Sequence, residues 1–212
     1  MKIFPVYYFP PVSWFAAALD AQTIVLEKWQ YYRKQHYFNR MEIKTPDRVL
    51  RLSMPIQKAG EHTPVCQRQV ANADQWRLDH WKSIESALRS SSYFEFFESR
   101  IAAFYDEPVG CLFDHNLAII TMVRDALRLD IQRTVSEKYL DSEHYEADYR
   151  EAFDPKDGHM PPWFQPKPYL QVFGEVFAPD LSIIDLMCNK GPETERILRE
   201  SIRRNEEYGI GN

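Results

Sequence analysis

The chain has seven glycines against fourteen prolines, a balance that argues for a rigid backbone with few hinges. It lacks paired cysteines. Cys66, Cys111 and Cys188 are odd in number and far apart, which excludes a zinc knuckle or a redox couple and reads as reduced, buried thiols in a cytoplasmic protein. It also lacks a basic excess: 26 Lys and Arg face 31 Asp and Glu, a net charge of −5. A phosphate backbone rewards a basic surface, so general nucleic-acid binding is excluded and any basic site must be local. No apolar run approaches the roughly 20 residues of a membrane span. The opening MKIFPVYYFPPVSWFAAALDA is apolar, but Pro5, Pro10 and Pro11 interrupt it where a secretory signal would be a continuous helix. The six histidines, at 36, 62, 80, 115, 144 and 159, show no paired spacing with carboxylates, so no metal site is expected.

What is abundant is aromatic: 14% Phe, Trp and Tyr within 44% hydrophobic residues, enough for a proper core in one domain spanning 1–212. Residues 2 to 9 read as a strand, Val12 to Ala21 as a short helix and TIVLE, 23 to 27, as a buried strand, which together make a compressed, Rossmann-like βαβ entry. RVLRLSMPI, 48 to 56, alternates, with Leu50, Leu52, Met54 and Ile56 on one face. Thr45-Pro46-Asp47-Arg48 supplies a turn, so MEIKT and RVLRLS are expected to form a hairpin.

Helices dominate the middle. Asp74 is a candidate cap for a helix carrying Trp76, His80, Ile84 and Leu88 on one stripe, widened by Trp81. Ser92 and Glu95 have capping-box spacing before Phe94, Phe97, Ile101 and Phe104. Asp114 is a candidate cap for a third, central helix through Leu127. IQRTV, 131 to 135, is expected to return to the sheet. The proline-rich stretch 154–169 reads as an extended strap. LSIIDLM, 181 to 187, reads as a buried helix, and a last helix starts near Gly191 with Pro192 in its first turn. The fold class expected is α/β, a small mixed sheet flanked by helices, with α+β as the alternative.

Eight segments, in order, resemble the WbqC-like protein family, in its Bacteroidetes-type branch. They are KQHYFNR (34–40), LRLSMPIQK (50–58), HTPV (62–65), WRLDHWKSIESAL (76–88), SSYFEFF (91–97), LFDHNL (112–117), PYLQVF (168–173) and FAPDLSIIDLMCNKGPE (177–193). The resemblance implies a cytoplasmic protein of surface-polysaccharide (lipopolysaccharide O-antigen) biosynthesis, with sugar-nucleotide or acyl-transfer chemistry and no named cofactor. Other branches carry paired acidic residues after the second strand. Here that pair is reduced to Glu27-Lys28, which removes support for a site built on those acids.

The stretch QYYRKQHYFNR, 30 to 40, interleaves rings with cations and an amide. Read functionally, Lys34 and Arg40 bind phosphate or carboxylate, Asn39 orients it, and the tyrosines offer stacking surfaces. Read structurally, Asn39 holds a turn, Arg40 pairs with an acid and the rings fill the core. Lys58, at the end of the alternating strand, is a candidate to join Lys34 and Arg40 on a small anionic ligand. His80 is a candidate acid or base, or a satisfied core group. Ser182 and Asp185 would need His80 brought to them to act as a nucleophilic set. Gly191 opens a helix start that would favour an anion, or it belongs to an ordinary capped turn. A second reading makes the chain a non-catalytic module that binds a protein partner through strap 154–169, and it requires Trp163 and Phe164 to be exposed.

Overall fold

Strands that run parallel in the middle of a sheet must be apolar on both faces, and KIFP and TIVLE meet that requirement. In the computed structural model, which describes residues 1–72, 75–156 and 160–203, they form β1 (Lys2–Pro5) and β2 (Thr23–Glu27), joined by α1 (Val12–Ala21). β5 (Gln132–Val135) pairs with β2, and the two-residue β6 (Ala147–Asp148) pairs with the other side of β1, all parallel, in the order β5-β2-β1-β6. The hairpin is a separate antiparallel sheet, β3 (Arg40–Lys44) against β4 (Val49–Ser53), with Arg40 opposite Ser53 and Glu42 opposite Arg51. The fold is therefore α/β, with its parallel and antiparallel strands in two sheets.

The chain leaves β1 earlier than the apolar pattern suggests. Pro5 ends the strand, and Val6 to Phe9 continue as a fully buried loop that turns at Phe9, φ 40°. Beyond Pro5 neither neighbouring strand has a residue left to pair with. Three helices fill the middle: α2 (Trp76–Leu88), α3 (Phe94–Asp106) and α4 (Leu112–Leu127). Their buried stripes are as expected, Trp76, His80, Ile84 and Leu88 on α2, and Phe94, Phe97 and Ile101 on α3. Their caps are not. α3 starts without a side-chain cap from Ser92, because Tyr93 N–H donates to the Cys188 carbonyl, 2.8 Å. α4 starts at Leu112, whose N–H reaches the Arg68 carbonyl at 2.9 Å, so Asp114 lies inside the first turn instead of capping it. Tertiary backbone bonds have replaced local caps. α4 is also amphipathic, with Ile119, Ile120 and Val123 buried and Leu117 and Met122 only partly so. Asp74 lies outside the described residues.

The described residues of the strap have no regular structure, and their aromatic face is used on the core: Phe164 is buried and Trp163 stands edge-on to Tyr149 and Phe153. α5 (Ile183–Lys190) is buried through Cys188, and after a single 3-10 turn α6 (Thr194–Glu200) closes on α1. The turn between them needs glycine. Gly191 has φ 47°, and a Cβ there would lie 2.5–2.7 Å from the Tyr93 ring. Gly191→Ala is therefore expected to cost about 1–3 kcal/mol through overpacking, plus about 1 kcal/mol of backbone strain. Chemical denaturation would show this as a lower midpoint at unchanged slope; an unchanged midpoint would contradict it.

Candidate functional site

Ligands of open parallel sheets usually sit beyond the carboxyl ends of the strands, where the strand order reverses. Here that point lies between β1 and β6, and it is filled. Tyr149 stacks on Phe4 at 4.5 Å, Phe153 meets Tyr7 edge-on, and the Tyr7 hydroxyl reaches the Arg150 carbonyl at 3.4 Å. Open space appears one layer further out, beside the segment that follows β2.

That segment, 28 to 39, is pinned to the chain at 63–66. Val65 N–H donates to the Gln30 carbonyl, Cys66 N–H to Lys28 and Tyr32 N–H to Thr63. Its far end is tied to the hairpin. The Asn39 amide donates to the Met54 carbonyl at 2.6 Å and accepts from the Tyr32 hydroxyl at 3.1 Å. Between these anchors lies a cleft of about 890 Å³. Lys34, Asn39 and Lys58 line it together, with Tyr32, Arg33 and Arg68 beside them and Glu61 as its carboxylate. Arg40 stands next to it, its Nε 3.3 Å from the Oγ of Ser53, a lining residue.

The cations are not equivalent. Arg33 is already paired with Glu151 and lies 3.9 Å from Asp154. Lys34 and Lys58 are exposed and have no hydrogen bond or ion pair among the described residues. Arg68 is the unusual one. It is 6% exposed, one Nη donates to the Gly60 carbonyl at 2.7 Å, and its guanidinium lies 4.9 Å above the Tyr32 ring. Its buried Nε–H has no acceptor among the described residues. A buried donor left unpaired costs on the order of 1–3 kcal/mol. Nothing in the local pattern HTPVCQRQV marks Arg68 as special. It reaches the cleft because a 3-10 turn at Val65–Gln67 and the Gln69–Cys111 bridge carry it there.

His80 lies elsewhere, in the core. Its Nδ1 is 2.9 Å from the Tyr8 hydroxyl, which is itself 2.6 Å from the Tyr105 hydroxyl. Burial pushes its pKa down to about 4, so the ring is neutral at physiological pH. It is not joined to Ser182 or Asp185. Ser182 Oγ donates to the Phe9 carbonyl, and Asp185 accepts from the Tyr169 hydroxyl, the Gln171 amide and the Asn189 amide. Asn116 is likewise a latch: fully buried, it donates to the Phe38 carbonyl at 2.8 Å.

No three His, Cys, Asp or Glu side chains converge as a metal set among the described residues, and no described helix is long and apolar enough to cross a membrane. A sequence model of the WbqC-like protein family matches residues 6–152, which include the whole cleft. No curated protein and no solved structure matches the chain.

Proposed function

Because the chain belongs to the WbqC-like protein family, we propose that it binds the anionic part of an activated small molecule, a nucleotide-sugar or an acyl donor, in the cleft beside Tyr32. The observation that carries this reading is the buried guanidinium of Arg68, lining one cleft with two lysines, where among the described residues its Nε–H is unpaired and the lysines have no partner. A protein of net charge −5 concentrates four cations against one carboxylate at this one place. In the proposal Lys34, Lys58 and Arg68 hold the anion, Arg40 stands at the rim, Asn39 fixes the wall and the Tyr32 face offers a stacking surface. In this reading the ligand belongs to cytoplasmic surface-polysaccharide biosynthesis, with group transfer as the reaction class. His80 lies outside the cleft, so this reading gives the cleft a binding role and gives His80 none in it.

A thermal-shift series with UDP-glucose, acetyl-coenzyme A and inorganic phosphate tests the reading. At a hundredfold excess over Kd, a ligand selective for the native state adds about 2.7 kcal/mol, or roughly 5–10 °C for a chain of this size. The double variant Lys34→Ala/Lys58→Ala should weaken the response at least tenfold, since each charge-assisted hydrogen bond is worth about 1.5–3 kcal/mol. No rise with any probe, or the same rise in the double variant, would count against the assignment.

A further inference from the structure

A second cleft, of about 530 Å³, opens on the outer face of the hairpin, between Glu42 and Arg51 on one side and residues 154–155 and 178–181 on the other. Most of its polar groups are already engaged. Arg51 Nε donates to Glu42 at 2.7 Å and its Nη2 lies 3.5 Å from the Pro155 carbonyl, while Asp154 accepts from the Lys156 N–H.

Two are not. Tyr37 is 6% exposed, its ring wedged against Tyr7 and His36 and its carbonyl accepting from Tyr8 N–H, yet its hydroxyl faces the cleft with no hydrogen-bond partner among the described residues. Burial and the nearby Asp180 charge raise its pKa, so it stays an O–H donor. Asp180 sits at φ 52°, a left-handed value that favours glycine and that Asp adopts more readily than most other residues. Its two oxygens accept from Ser13 N–H at 2.7 Å and Ser13 Oγ at 2.8 Å, which caps α1 from a distant segment and leaves further lone pairs toward the cleft.

The cleft thus presents a donor without an acceptor beside an acceptor with spare capacity. An anion would meet three carboxylates, Glu42, Asp154 and Asp180, against Arg48 and an Arg51 already paired with Glu42. An ammonium could donate to Asp180 but has no lone pair for the Tyr37 O–H. A hydroxyl satisfies both, accepting from one and donating to the other. Apart from Arg48, the rest of the wall, including Met160 and Leu181, is apolar and suits the C–H faces of a ring. We propose that this cleft binds a neutral polyhydroxylated ring, a sugar, with one hydroxyl bridging Tyr37 and Asp180. The assignment stands apart from the anionic cleft, which shares no lining residue with it.

Saturation-transfer NMR on the full chain with glucose, galactose and N-acetylglucosamine, alongside glucosamine and inorganic phosphate, tests it. At least one neutral sugar is expected to bind saturably. Tyr37→Phe removes no hydrogen bond among the described residues, so it should leave the melting temperature unchanged while weakening sugar binding about tenfold. Lys34→Ala/Lys58→Ala should leave sugar binding intact, which separates this site from the anionic one. The proposal is overturned by no saturable signal from any neutral sugar, by equal binding in Tyr37→Phe, or by preference for glucosamine over glucose.

Discussion

Alanine at Glu27 is expected to destabilise the protein by about 3–5 kcal/mol, the range for breaking one partner out of a buried charged network. Glu27 is 1% exposed at the end of β2 and is the common acceptor for three groups: Ser136 Oγ at 2.8 Å, Trp29 N–H at 2.7 Å and Leu140 N–H at 2.8 Å. Arg150 Nη1 lies 3.8 Å away and keeps other partners in Asp148 and the Leu140 carbonyl. Removing the carboxylate strands the donors that fix where the chain leaves β2 and β5, which is where the segment forming the anionic cleft begins. Against a typical total of about 5–15 kcal/mol the loss is large, and at roughly 2–4 °C per kcal/mol the melting temperature should fall by about 10 °C. Glu27→Gln keeps one acceptor oxygen and should fall between wild type and alanine. Calorimetry on the three proteins reads the order directly; an alanine variant as stable as wild type would show that the carboxylate is dispensable.

Acid should unfold the protein well above the pKa of its surface carboxylates. Burial holds three histidines at about 4 from an ordinary 6.5: His36, wedged among Tyr7, Tyr37 and Phe38; His80, on the Tyr8 hydroxyl; and His115, stacked on Tyr8. Their folded pKa values lie below the unfolded ones. The stability they contribute is therefore complete above pH 6.5 and is lost as pH falls toward 4, because the unfolded chain binds the protons first. Each ring is worth on the order of 3 kcal/mol over that window. Asp180 acts in the opposite sense. Burial raises it to about 7, so its contribution is present at low pH and lost as pH rises through 7. Asp185, raised by burial as well, acts in the same sense as Asp180, and three groups against two leave a net loss on acidification that is a sizeable part of a domain's stability. Urea midpoints should drop steeply between pH 6.5 and 4, and His36→Leu should flatten the slope. A midpoint independent of pH across that window would contradict the burial of these rings.

The elements legible in the sequence were those set by burial patterns that tertiary contacts then reinforced. TIVLE, the Leu52-Met54 alternation, the Trp76-His80-Ile84-Leu88 stripe and IQRTV all took the expected structure. Helix starts were harder to read. At Tyr93 and Leu112 a backbone carbonyl from a distant segment supplies the acceptor that Ser92 and Asp114 offered locally, and sequence spacing carries no record of such a partner. The clefts divide in the same way. Lys34, Asn39 and Lys58 stand together because the Asn39–Met54 bond ties loop to hairpin, and both segments were visible. Arg68, Tyr37's free hydroxyl and Asp180 depend on long-range placement and on positive φ, neither of which leaves a local pattern. His80 showed an inward-facing histidine, and its partner turned out to be the Tyr8 hydroxyl in the core.

Isothermal titration of UDP-glucose, acetyl-coenzyme A and inorganic phosphate into wild type and a Lys34→Glu/Lys58→Glu variant tests the anionic cleft most directly. Both lysines are exposed and unpaired among the described residues, so charge reversal should leave the fold intact. The account predicts saturable, salt-sensitive binding of at least one probe to wild type and its loss, by a hundredfold or more, in the variant, as expected when two charge-assisted contacts worth about 1.5–3 kcal/mol each are removed. Binding of equal strength in both proteins, or none in wild type, would contradict it.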